Sequence, residues 1–133
     1  MNIAVKLSTL VILASFWSFT TEAFSPQDFE VQSFQKSQSE DKVIIVDVAA
    51  KWCPTCKGQQ KDLDAILKDP KYKEVVTYKV DFDNKDQVKA LADQIGRPIP
   101  RQSTIVFLKG KEVVGFSVAE RGDDLRAHLN KAL

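Results

Sequence analysis

The chain has 133 residues and a formal net charge of +1, with 19 Lys and Arg against 18 Asp and Glu. That length is one domain's worth, and the balanced charge gives no argument for nucleic acid or an anionic membrane surface as a partner. Two cysteines and a single histidine, His128, are too few for a structural zinc site, which needs four ligands.

The first 23 residues differ in kind from the rest. A short basic start ends at Lys6, residues 7–19 carry no charge and are mostly apolar, and Thr21-Glu22-Ala23 closes on a small residue. This is the layout of a secretory signal peptide (1–23), and the apolar run is too short to cross a bilayer comfortably as a helix. An uncleaved N-terminal anchor is the alternative, and it too places the domain outside the cytoplasm. No cysteine follows the run, which excludes a lipoprotein anchor. An export signal without a framework of structural disulfides points to a bacterial periplasm or to secretion. There a reactive thiol pair needs a dedicated electron source or sink.

Residues 24–133 are the expected domain. Ser25-Pro26 reads as N-cap and first helical residue, with Asp28 in the first turn and Phe24, Phe29, Val31 and Phe34 as a poorly periodic apolar side. The β-branched run 43–49 suits a strand covered on both faces in a parallel sheet. A second helix is predicted over 54–69, with Cys56, Leu63, Ile66 and Leu67 near one face and Pro70 at its end. Residues 75–80 read as the next strand. Asp83 or Asn84 then caps a third helix, where Val88, Leu91, Ala92 and Ile95 recur at helical spacing before Gly96. After a loop carrying Pro98 and Pro100, strands over 104–108 and 112–118 flank Lys109-Gly110-Lys111 as an antiparallel hairpin. Asp123 and Asp124 open a last helix that buries Leu125, Leu129, Ala132 and Leu133.

The chemistry sits in Lys51-Trp52-Cys53-Pro54-Thr55-Cys56-Lys57, where the first strand gives way to the second helix. A cysteine at a helix N-terminus meets unpaired N–H groups and the positive end of the dipole, which favour a thiolate. A second thiol within reach then releases whatever the first has captured. A haem attachment needs histidine after the second cysteine, where Lys57 stands, and a purely structural bridge across so short a loop restrains the unfolded chain little. The reading is therefore thiol–disulfide exchange. Cys53, exposed at the helix start, is the attacking sulfur; Cys56, one turn deeper and partly covered, is the resolving thiol. Pro54 has a helix-ready φ but no N–H, so stabilisation of the thiolate falls to the N–H groups of Thr55 and Cys56.

Asp47 lies inside the apolar run, where desolvation raises a carboxyl pKa and suggests a proton acceptor for Cys56; the alternative is a carboxylate that reaches water at the strand end. Trp52 is expected to cover the pair on one side, a place compatible with plain packing. His128 reads as a surface or boundary residue. Asp81, Asp83 and Asp86 read as a strand end and a capped helix start rather than a metal site. Ile105, Phe107, Val113 and Phe116 read as core or sheet surface rather than a cofactor lining, and no cofactor is expected.

The order α-β-α-β-α-β-β-α, with the reactive pair after the first strand, resembles the thioredoxin fold, an α/β architecture. The resemblance rests on Trp52-Cys53-Pro54-Thr55-Cys56-Lys57, Asp47 six residues before the first cysteine, Lys79 in the next strand, and Phe107-Leu108-Lys109-Gly110-Lys111-Glu112-Val113-Val114. It implies a central mixed sheet of about four strands with helices on both faces. It also implies an oxidoreductase acting on the disulfides or thiols of proteins, with Asp47 serving Cys56 and Lys79 as the charge neighbour of Asp47 across the sheet; the alternative for Lys79 is a solvated strand lysine. The family further carries a cis-proline just before the hairpin, where neighbouring backbone pairs with substrate. Counting back from Gly110 puts Gln102 there, counting forward from Gly96 puts Arg101, and Pro100 precedes both. Either Pro100 serves through a rearranged loop or the proline is replaced. Trp52, Pro54, Arg101 and Gln102 are the expected substrate contacts.

Two departures argue against a general cytosolic thioredoxin: Ala49 stands where the family often has tryptophan, and Lys61 where it has a helix proline. The segment Trp52 to Cys56 is similar to that of periplasmic thioredoxin-like reductases of cytochrome c maturation, without the insert usual in that group. The leading expectation is an exported reductant supplied by a membrane thiol electron carrier. A disulfide-forming oxidant of the same fold and a non-catalytic binding module are the alternatives.

Overall fold

In the computed structural model, which describes residues 22–133, the apolar run ending at Ala49 is the middle strand of a sheet. The expected signal segment lies outside the described residues except for Glu22 and Ala23. The elements run β1 (Gln27–Asp28), α1 (Val31–Ser39), β2 (Val43–Ala49), α2 (Pro54–Leu67), β3 (Val76–Asp81), α3 (Lys85–Ile95), β4 (Thr104–Lys109), β5 (Glu112–Val118) and α4 (Asp123–Ala132). The sheet order is β1-β3-β2-β4-β5; β2 is parallel to β3 and antiparallel to β4.

The two-residue alternation of β2 splits its side chains between two cores. Ile44, Val46 and Val48 join Phe29, Phe34, Tyr78, Leu91 and Val106 on one face, while Ile45 joins Leu63, Ile66, Ile105, Leu125 and Leu129 on the other. Asp47 shares the Ile45 parity, so the strand aims this carboxyl at the face covered by α2 and α4.

The N-terminal segment differs from the sequence reading. Residues 27–28 pair in parallel with Tyr78 and Lys79 instead of starting a helix, and α1 begins only at Val31. Phe24 packs with Leu63 on one side of the sheet and Phe29 with Phe34 and Tyr78 on the other. An extended segment crossing the sheet edge reaches both cores, which a helix lying on one face does not. The sheet therefore has five strands rather than about four.

The remaining elements lie close to their predicted places. Asn84 caps α3 by accepting from the Gln87 N–H at 3.2 Å, and Gly96 ends it at φ 71°. Leu133 is 58% exposed, so the expected burial of the last residue is not realised. Among the described residues no helix is long and apolar enough to cross a membrane.

Candidate active site

β2 ends at Ala49, and a tight turn brings the Cys53 N–H to the Ala50 carbonyl at 3.1 Å. Cys53 thus becomes the N-cap of α2, with extended φ and ψ and Pro54 as the first helical residue. Its Sγ accepts from the Cys56 N–H at 3.1 Å. A sulfur placed this way satisfies one of the orphan donors of the helix start, and those donors favour the thiolate once the bond opens. Cys53 and Cys56 are disulfide-bonded, with Cα atoms 5.4 Å apart.

Both cysteines are covered: Cys53 is 2% exposed and Cys56 1%. The expected exposed position of Cys53 is not seen in this oxidised state, because Ala50, Ala49 and Phe82 pack around the bridge. Phe82 comes from the end of β3, where its N–H donates to the Ala49 carbonyl at 2.9 Å. Trp52 instead stands 59% exposed, and its indole Nε1 donates to Asp83 Oδ2 at 3.0 Å. The apolar cover of the bridge is therefore Ala50, Ala49 and Phe82.

Asp47 is fully buried and does not reach water at the strand end. Oδ2 accepts from Gln60 Nε2 at 3.0 Å, whereas Oδ1 is buried with no partner among the described residues. Burial pushes the carboxyl up to about 6, against the opposing pull of the Gln60 hydrogen bond. The expected charge contact with Lys79 is not formed. The two residues are register neighbours, yet Lys79 Nζ lies 3.6 Å from Asp28 Oδ1 at the surface. The long lysine stem carries its charge to solvent and escapes desolvation beside Asp47.

The segment before β4 holds Arg101, exposed, and Gln102, half-buried. Every peptide bond among the described residues is trans, that of Pro100 included. Ser103, at φ 58°, is buried, and its carbonyl accepts from the Ala119 N–H at 2.9 Å and from Gln59 Nε2 at 3.1 Å. Gln59 Nε2 also donates to the Glu120 carbonyl at 3.0 Å. One buried amide on α2, three residues beyond Cys56, thus ties down both loops that flank the β4–β5 hairpin.

Sequence reasoning passed over Gln59, Gln60 and Phe82. Gln59 had a legible signal: it falls on the same helical stripe as Cys56, Leu63 and Ile66, and a polar residue there needs buried partners. Elsewhere, His128 sits at the boundary with Nε2 2.8 Å from Glu120 Oε2 and its ring stacked on Phe107. Asp81 Oδ1 accepts from the Asp83 N–H at 3.0 Å, a strand-end turn. No group of three metal-ligating side chains occurs among the described residues.

The thioredoxin family model matches residues 24–131. Thioredoxin H4 of Arabidopsis thaliana is 30% identical over 97 residues, 72% of this chain and 76% of that protein. A thioredoxin of Malassezia sympodialis is 30% identical over 98 residues, 74% of this chain and 89% of that protein. Among solved structures, Trxlp from Edwardsiella tarda superposes with a TM-score of 0.66 at 27% identity, covering 77% of this chain and 95% of that one. The Malassezia sympodialis thioredoxin gives 0.63 at 27% identity, over 81% of this chain and 90% of that one. Sheet order, bridged cysteines and sequence agree along residues 24–131, so the chain belongs to the thioredoxin family and is a thiol–disulfide oxidoreductase.

Proposed function

We propose that this protein reduces the disulfides of protein clients outside the cytoplasm, with Cys53 as the attacking sulfur, Cys56 as the resolving thiol and Asp47 as the proton acceptor for Cys56. The observation that carries the assignment is the Cys56 N–H directed at Cys53 Sγ at 3.1 Å. That donor stabilises charge on Cys53 and not on Cys56, which makes the two sulfurs unequal.

In the forward reaction the Cys53 thiolate attacks one sulfur of the client disulfide, and the other leaves with the bonding pair. Cys56, deprotonated by Asp47, attacks Cys53, closes the intramolecular bridge and expels the second client sulfur as a thiolate. Two electrons pass from the dithiol to the client. A membrane thiol carrier then reopens the bridge. Trp52, Pro54, Arg101 and Gln102 form the face that receives the client, and Lys79 supplies positive charge at the rim of the groove it lines with Gln60.

Residues 1–23, with their basic start and apolar run, support export and cleavage ahead of a mature domain 24–133. Expression of the full chain with N-terminal sequencing of the exported product tests this: a product starting at Phe24 supports it, and an intact cytoplasmic product rejects it. For the chemistry, Cys56→Ser accumulates mixed disulfides through Cys53 that vanish in Cys53→Ser. Equal trapping by both single variants would overturn the assignment of roles.

A further inference from the structure

Gln60 is without a role in the reaction as written, yet among the described residues its side chain alone hydrogen-bonds the Asp47 carboxylate. It also lines the open groove of about 380 Å³ that runs past Lys57 and Lys79 at the head of α2. The amide therefore stands between a fully buried carboxylate and solvent. Its one N–H to Oδ2 leaves Oδ1 buried and, among the described residues, unpartnered.

We propose that Gln60 is a positioning residue for the resolving step: it holds Asp47 by Oδ2, keeps Oδ1 free to take the Cys56 proton, and lies on the path by which that proton leaves through the groove. This rests on the reading of Asp47 as proton acceptor. The Cys56 S–H proton passes to Oδ1, the Cys56 thiolate forms its bond to Cys53 as the Cys53–client bond breaks, and Asp47 later returns the proton to water.

The surroundings of Asp47 give Gln60 this control by default. On β3 the register neighbour Lys79 is drawn to Asp28, and on β4 the neighbour is Ile105, which carries no charge. From α2 comes the Gln60 amide, and among the described residues no charged side chain contributes to the shift of Asp47. Burial raises the Asp47 carboxyl and the Gln60 bond lowers it, so removal of the donor raises it further.

The test uses the disulfide form, in which neither thiol titrates. The 13C signal of the Asp47 carboxyl is followed against pH in the native protein, Gln60→Leu and Gln60→Met; the last keeps the side-chain length without a donor or a charge should the leucine variant fail to fold. The expected result is a midpoint moved up by on the order of one pH unit in both variants. Single-turnover resolution of a preformed mixed disulfide between Cys53 and a model peptide should show its acid limb moved by the same amount, with the native rate regained near about pH 8. Unmoved midpoints in both variants would overturn the role of Gln60 and leave that of Asp47 standing. Asp47→Asn decides the other question. Read on the resolution of a preformed mixed disulfide between Cys53 and the peptide, where Cys53 no longer titrates, loss of the acid limb supports Asp47 as acceptor, and an acid limb retained in that variant removes Asp47, and the Gln60 proposal with it.

Discussion

Asp47 and Lys79 occupy matching positions on adjacent parallel strands, and the lysine ammonium turns away from the aspartate to reach Asp28 at 3.6 Å. Among the described residues, Asp47 is left in the α2-facing core with one amide donor and no opposite charge in contact. Burial holds its carboxyl at about 6 in the folded protein, above the ordinary carboxylate value of 3.8. The folded state therefore binds a proton that the unfolded chain releases, and stability falls as pH rises from about 4 through about 6. Asp47→Asn keeps an oxygen for Gln60 and removes the charge. It is expected to stabilise the protein at neutral pH by on the order of 2–3 kcal/mol, and to flatten that pH dependence, in urea unfolding followed across the range.

Gly58 lies under the Arg121 guanidinium, and a methyl group added there would collide with it. Arg121 and the Gly122 N–H both engage Asp62, fastening the loop before α4 to α2. Gly58→Ala gains about 1 kcal/mol of helix propensity and displaces the arginine, so its net effect in the native background is close to zero. In an Arg121→Ala background the same change is expected to stabilise by about 1 kcal/mol. A double-mutant cycle of thermal unfolding reads the difference.

Gln59 holds the Ser103 and Glu120 carbonyls with one amide. In Gln59→Leu the Ser103 carbonyl keeps its bond from the Ala119 N–H, so the fold survives with a loss of about 1–2 kcal/mol. The Arg101–Ser103 segment is loosened against α2. Steady-state reduction of a protein disulfide should then show KM raised several-fold with kcat nearly unchanged.

Trp52 is 59% exposed and tethered to Asp83 by a single indole hydrogen bond. Trp52→Ala is expected to change stability by less than about 0.5 kcal/mol. With Trp52 on the proposed client face, turnover of a protein client should fall while that of a small aromatic disulfide is spared. Equal loss on both substrates would place Trp52 in the chemistry itself.

Periodicity made most of the fold legible. The continuous run 43–49 announced a doubly covered strand, Val88 to Ile95 an amphipathic helix, and Lys109-Gly110-Lys111 a hairpin, since each is a local pattern with one structural solution. The stretch 24–30 was misread because Ser25-Pro26 is a good helix start in isolation, and only the sheet edge makes extension better. The cysteine pair was legible from spacing and context. Gln60 was not, because its partner Asp47 is a long-range contact across a helix–sheet interface, and sequence distance carries no trace of it. The choice between a charge neighbour of Asp47 and a solvated lysine at position 79 stayed open for the same reason: the competing Asp28 belongs to a strand that the sequence pattern reads as helix.

The central strand finds both of its neighbours later in the chain, Val76 on one side of Ile44 and Leu108 on the other. During synthesis its apolar side chains emerge first and wait until nearly the whole domain exists, so assembly is governed by distant pairing and a chain cut before Thr104 lacks a partner for one edge. The reactive bend at the end of that strand is consequently shaped only when the fold is almost complete.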